Sequence, residues 1–203
     1  CMTNPEAREY NLKIIAESAK VTPGISISSQ HFADMGFCTC SRCVEQQRKS
    51  GLSWNDWRAK TVTDFLAEVK EVVQGKPLFV NILPDPLLAK ERFGYDFEAM
   101  AQYTDYFVIP MFSKAYPTPW YWETIARGFK SKLKKPMFVN FYVRGPNETW
   151  ETVAPTKQIM TVATRVARQG VDGIIFLAEK AEYIHKFQKE AAEDKETREF
   201  LKG

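Results

Sequence analysis

At 203 residues the chain can bury a substantial core, and its 44% hydrophobic content excludes wholesale disorder. The net charge of +3 comes from Lys and Arg spread along the sequence, which excludes the concentrated basic face of a nucleic-acid binder. No apolar run approaches the ~20 residues that span a bilayer, and nothing at the start reads as a secretory signal, so neither a membrane nor nucleic acid is an expected partner.

In chain order, Asn4-Pro5-Glu6 predicts a helix start with Pro5 at the first helical position. Leu12, Ile15, Ala16 and Ala19 recur on one face of it. Ile25 to Ser29 is a predicted strand, followed by a cysteine-rich turn. Ser53-Trp54-Asn55-Asp56 resembles a capping box, and Trp57, Val62, Phe65, Leu66 and Val69 continue it as an amphipathic helix. Pro77 to Leu83 is the second strand; Asp96 caps a short helix through Tyr103; Tyr106 to Phe112 is the third strand. Thr118-Pro119 opens a helix predicted to end near Lys135, where its lysines suit the negative end of the helix dipole. Met137 to Val143 is a strand, Lys157 to Gln169 a helix, Val171 to Ala178 the last strand, and Glu182 to Leu201 a closing helix. No internal repeat is read along the sequence.

Five continuous apolar strands, each separated from the next by helix, imply a parallel sheet buried on both faces. The expected fold is α/β, a partial or complete (β/α) TIM-type barrel with parallel strands, in one domain over residues 1–203. No Gly-rich phosphate loop follows a strand, so a nucleotide-binding sheet lacks its signature.

Three of the four cysteines lie within six residues, Cys38-Thr39-Cys40-Ser41-Arg42-Cys43, and the fourth is Cys1. Three thiols so close cannot all pair in unstrained disulfides, whereas a tetrahedral thiolate cage needs them plus one distant sulfur, which Cys1 can supply. The expectation is a structural Zn²⁺ on Cys1, Cys38, Cys40 and Cys43; a disulfide or free-thiol arrangement, with thiol-redox chemistry, is the alternative. Four zinc-binding thiolates must stay reduced, which favours the cytoplasm.

The order Cys1, Asn4-Pro5-Glu6-Ala7-Arg8, helix, strand, Cys38-x-Cys40-x-x-Cys43 resembles the β-galactosidases of glycoside hydrolase family 42. Lys135-Pro136-Met137-Phe138 with Gly145-Pro146-Asn147-x-x-Trp150 is similar to that family's seventh barrel strand and loop, and Gly170-Val171-Asp172-Gly173-Ile174 to the approach to its eighth. The resemblance implies the zinc turn and the C-terminal part of a catalytic barrel that begins near the fourth strand, with the earlier strands absent. Sheet edges left open in that way would be covered by a preceding segment or by a second copy of the chain. It also implies carbohydrate as the partner and hydrolysis of O-glycosyl bonds as the activity. The family's acid/base glutamate falls where this chain has Ser28-Ser29-Gln30-His31, and its nucleophile where this chain has Asn140-Phe141-Tyr142. A non-catalytic relative that binds a glycan or protein is therefore the alternative function.

Barrel chemistry sits at the C-terminal ends of strands, and glycosidases use two carboxylates. Asp34 and Glu179 are the expected catalytic pair, with Asp85 read as a turn aspartate between two prolines. His31, Asn81, Tyr116, Trp120, Asn140 and Tyr142 are the expected substrate contacts, the aromatics because sugar rings stack C–H faces on them.

Overall fold

The structure, a computed structural model, describes residues 1–28, 30–34, 36–111, 117–144, 154–195 and 199. Helical stretches separate the strands as expected, with two helices instead of one after β1 and after β2: α1 (Pro5–Val21), β1 (Ile25–Ile27), α2 (Ser41–Ser50), α3 (Trp54–Val72), β2 (Leu78–Asn81), α4 (Ala89–Phe93), α5 (Phe97–Met100), β3 (Tyr106–Met111), α6 (Pro119–Lys130), β4 (Met137–Arg144), α7 (Thr156–Ala167), β5 (Gly173–Ala178) and α8 (Ala181–Glu193). Strand order is sequential, β1-β2-β3-β4-β5, the succession of a partial (β/α) barrel-type α/β fold. The chain divides into two compact units, Cys1–Phe107 with Lys132–Lys135, and Val108–Ser131 with Pro136–Gly203.

In the first unit, Asn4 caps α1 by accepting from the N–H groups of Glu6 and Ala7. Helix α1 is tied to α3 by a bidentate Arg8–Glu68 pair at 2.7 and 2.8 Å. Strand β1 pairs in parallel with β2, Ile25 opposite Leu78 and Ile27 opposite Val80. These four side chains are buried, while Ser26, Phe79 and Asn81 take the alternate positions on the other face.

In the second unit, β4 pairs in parallel with β5, Phe138 opposite Gly173, Asn140 opposite Ile175 and Tyr142 opposite Leu177. Met137, Val139, Phe141 and Val143 are buried, and Phe176 packs between Phe141 at 6.1 Å and Phe187 of α8 at 4.8 Å. The opposite face carries Phe138, Asn140 and Tyr142.

Two helices went unpredicted. Helix α2 buries only Cys43, so it has no apolar period to read. Helix α4 spans five residues, too short to show one. Helix α6 ends at Lys130 instead of near Lys135, because the Ser131 hydroxyl takes the Gly128 carbonyl at 2.8 Å and closes the last turn. Helix α5 likewise stops early, Gln102 and Tyr103 bonding back three residues to Ala99 and Met100. The last residues predicted for α8, up to Leu201, lie largely outside the described residues.

One short motif recurs at two strands. Lys76-Pro77-Leu78-Phe79-Val80-Asn81 enters and forms β2, and Lys135-Pro136-Met137-Phe138-Val139-Asn140 does the same for β4. Each unit closes it with one device. Asp105, just before β3, accepts the Leu78 N–H at 2.8 Å and the Lys70 ammonium at 2.6 Å. Asp172, just before β5, accepts the Met137 N–H and the Lys130 ammonium, both at 2.9 Å.

Candidate metal centre and strand-end site

The four cysteines converge. Their sulfurs all lie within 4.8 Å of one another and none is in a disulfide. Cys1 Sγ is 3.4 Å from Cys43 Sγ and 3.8 Å from Cys40 Sγ. Tetrahedral Zn–S bonds of about 2.3 Å separate sulfurs by about 3.8 Å, so the spacing and the all-thiol donor set both fit a closed structural zinc site. Local structure explains the convergence. The Asn4 N–H donates to the Cys1 carbonyl at 3.1 Å, folding Cys1 back on the start of α1. Cys40 caps α2, which places Cys43 one turn on, facing the same point.

The sulfurs are not equivalent. The Cys40 thiol is brought down to about 7, chiefly by the backbone N–H of Cys43 and then by the Cys43 and Cys38 side chains, so at neutral pH it supplies a thiolate readily. Burial pushes the Cys43 thiol up to about 11. Cys1 and Cys40 are exposed, Cys38 is half-buried and Cys43 has no exposed surface. Beside Cys1 opens a cleft of about 330 Å³, lined among others by Arg8, Asn11, Ile15, Ile27, Gln30 and Phe65.

The segment after β1 carries His31 and Asp34 as well as the cysteines. His31 Nδ1 lies 2.7 Å from the Phe32 carbonyl, which fixes a proton on Nδ1. Its ring stands edge-on to Phe93 and Tyr95. Asp34 receives the Arg92 guanidinium on both oxygens, 3.0 Å at Nε, and Arg92 also donates to Asp85 at 2.7 Å. Asp85 additionally accepts from the N–H groups of Leu87 and Leu88, the turn role expected of it.

Sequence reading missed the residue that holds this segment, Arg58. It has no exposed surface, and its guanidinium donates to the carbonyls of Glu91 at 2.7 Å, Arg92 at 2.8 Å and Ala33 at 3.0 Å. It also lies 5.1 Å over the Phe32 ring. Its position in the amphipathic pattern, between buried Trp57 and Ala59, was the available signal.

The other expected contacts are distributed over both units. Asn81 Nδ2 donates to Ser26 Oγ and the Ile27 carbonyl, each at 2.9 Å, so this side chain joins β2 to β1. Buried Gln30 donates to the Asn81 carbonyl at 2.6 Å. In the second unit Asn140 is buried with Oδ1 unpartnered among the described residues. Tyr142 is half-buried two residues on, and Glu179 accepts from Arg144 at 3.1 Å. Trp120, in the first turn of α6, is 63% exposed and meets Tyr121 edge-on. Tyr116 lies outside the described residues. Asp34 and Glu179 thus belong to different units, each held by an arginine.

No protein-family model matches the chain, and no curated protein matches it either. Among solved structures, the glycoside hydrolase domain of PgaB (BpsB) from Bordetella bronchiseptica aligns with a TM-score of 0.70 and 12% identity, over 90% of this chain and 59% of that one. The chain therefore spans about three-fifths of the solved chain it matches. Dihydrodipicolinate synthase from Oceanobacillus iheyensis aligns with a TM-score of 0.36 and 12% identity, over 81% of this chain and 70% of that one. The first likeness establishes the fold shared with that domain, a partial (β/α) barrel-type α/β fold. No helix among the described residues is long and apolar enough to cross a membrane.

Proposed function

We propose that the chain is a carbohydrate-active, glycoside hydrolase-like domain resembling the family 42 β-galactosidases, with a structural zinc on Cys1, Cys38, Cys40 and Cys43. The observation that carries this reading is the joint presence of a glycoside hydrolase-like fold and a four-sulfur cluster of zinc dimensions on it. In this reading residues 1–203 belong to a (β/α) barrel-type domain working in the cytoplasm. Zinc, when bound, is closed to substrate; it fixes the segment after β1.

Asp34 and Glu179 are the proposed catalytic carboxylates, one for each of the two roles a glycosidase needs. His31, Asn81, Asn140 and Tyr142 contact hydroxyls, and Tyr116 and Trp120 stack on the ring. The Asn140 amide oxygen, buried and unpartnered, suits a sugar hydroxyl donor. A second reading, glycan binding without hydrolysis, is favoured by one specific observation: both carboxylates are engaged by arginines.

The test uses the full chain on a panel of chromogenic glycosides, β-galactosides included, beside D34N and E179Q. Hydrolysis abolished by either substitution supports the catalytic reading. Hydrolysis untouched by both removes the pair. No hydrolysis, with saturable oligosaccharide binding lost in W120A, favours the binding reading.

A further inference from the structure

One side chain beside the sulfur cluster is not a ligand and has not been given a role. Thr3 is 8% exposed, and its hydroxyl oxygen lies 3.1 Å from Cys1 Sγ and 3.4 Å from Cys43 Sγ. Those two sulfurs are themselves 3.4 Å apart, so the hydroxyl caps one edge of the cluster.

The chemistry of a four-thiolate site makes such a donor necessary at one place. Four thiolates around a dication leave two net negative charges, and these are stabilised by donors around the sulfurs. Cys1 and Cys40 are exposed and Cys38 half-buried, so water can donate to them. Cys43 is fully buried, and the hydroxyl that reaches its sulfur is that of Thr3. A buried anion without a donor is destabilised far more than an exposed one. Thr3 is placed by the turn in which the Asn4 N–H bonds the Cys1 carbonyl, so the residue that delivers one ligand also delivers the donor to another.

We propose that Thr3 is a positioning residue of the metal centre. Its hydroxyl donates to Cys43 Sγ, alternating with Cys1 Sγ since it has a single proton, and thereby sets both the metal affinity and the electron density on sulfur. This inference rests on the zinc reading above.

The experiment measures Zn²⁺ affinity by chelator competition, and the sulfur-to-metal charge-transfer band of the Co²⁺-loaded full chain, for the unsubstituted protein, T3V and T3S. Valine keeps the shape and the methyl group but puts a second methyl in place of the donor; serine keeps the donor. Expected are a 10- to 100-fold loss of affinity in T3V, the range typical of partners behind metal ligands, with its Co²⁺ band moved to lower energy, and T3S within about threefold of the parent. T3V within that threefold, or T3S as weak as T3V, overturns the inference, the latter because packing rather than the hydroxyl would then be responsible. Should T3V fail to fold, T3A is read by the same criteria. An unsubstituted chain that takes up no zinc defeats the zinc reading itself, a different result from a metallated chain indifferent to Thr3.

Discussion

Replacing Arg58 by Met tests how the segment bearing His31 and Asp34 is held. Methionine approximates the length of the arginine stem, so the cavity left is small and the loss reads the hydrogen bonds. Three carbonyls, of Ala33, Glu91 and Arg92, lose a charged donor at 2.7 to 3.0 Å in a site without solvent exposure. An orphaned buried acceptor costs about 1 to 3 kcal/mol, while relief from burying a charge returns part of the sum. The expected net loss is about 3 kcal/mol. Urea unfolding followed by tryptophan fluorescence reads it, because Trp57 packs on Phe32 at 5.5 Å and Trp54 on Trp57 at 5.1 Å in the same unit. R58K, with one compact donor group in place of the fork, should recover only part of the loss. A decrease below about 1 kcal/mol in R58M would refute the claim that the guanidinium organises this segment.

The carboxyls of Asp105 and Asp172 are held below the usual aspartate range, Asp105 by the Lys70 ammonium and the Leu78 N–H against the opposing effect of burial, Asp172 by Lys130 and the Met137 N–H. A depressed folded-state value contributes stability that is present above an unfolded value of about 4 and lost as pH falls through the folded one. Acid unfolding should therefore steepen below about pH 4, and D105N or D172N should flatten it; an unchanged acid limb in both counts against the device. Gly173 has Phe138 ring carbons 2.3 and 2.5 Å from where a Cβ would stand. G173A should lower stability by about 1 to 3 kcal/mol in the parent and by much less in an F138A background, and equal losses in both would exclude the clash. Removing zinc with a chelator should convert Cys43 from protected to alkylated, read by peptide mass; labelling at the same rate before and after removal contradicts a closed cage.

The sheet and the long helices were legible because their apolar residues carry the period themselves. The five strands were found, and α1 and α3 were anchored by Asn4 and Ser53, whose side chains accept the helix N–H groups the sequence offered them. Helix α2 escaped because its stability comes from one buried cysteine and from Gly51 ending it at φ +69°, with no stripe to betray it. Cysteine spacing exposed the metal cluster, since thiols in that pattern have few other uses. Arg58 and Thr3 could not be found that way. An arginine within a helix reads as solvated until its partners, which are backbone carbonyls far along the chain, are brought to it. A threonine two residues from a cysteine has no meaning until α2 turns Cys43 toward it.

The segment between β1 and α2 can now be understood as held at two ends by unrelated chemistry. At its near end, Arg58 gathers backbone carbonyls, that of Ala33 among them, and Arg92 grips Asp34 and Asp85, so Ala33 and Asp34 are fixed by arginines rooted in α3 and α4. At its far end, Cys38, Cys40 and Cys43 meet Cys1, which belongs to the turn before α1. Neither set of contacts shares a residue with the other. Charge-assisted hydrogen bonds at the near end are indifferent to metal, and sulfur ligation at the far end is indifferent to Arg58. The two perturbations above should therefore be additive: R58M leaves zinc affinity within about threefold of the parent, and zinc removal leaves the amide-exchange protection of Phe32, whose N–H donates to the Phe93 carbonyl, intact. Loss of that protection on chelation alone would mean that one metal-bound unit carries the whole segment, and that the arginines follow it.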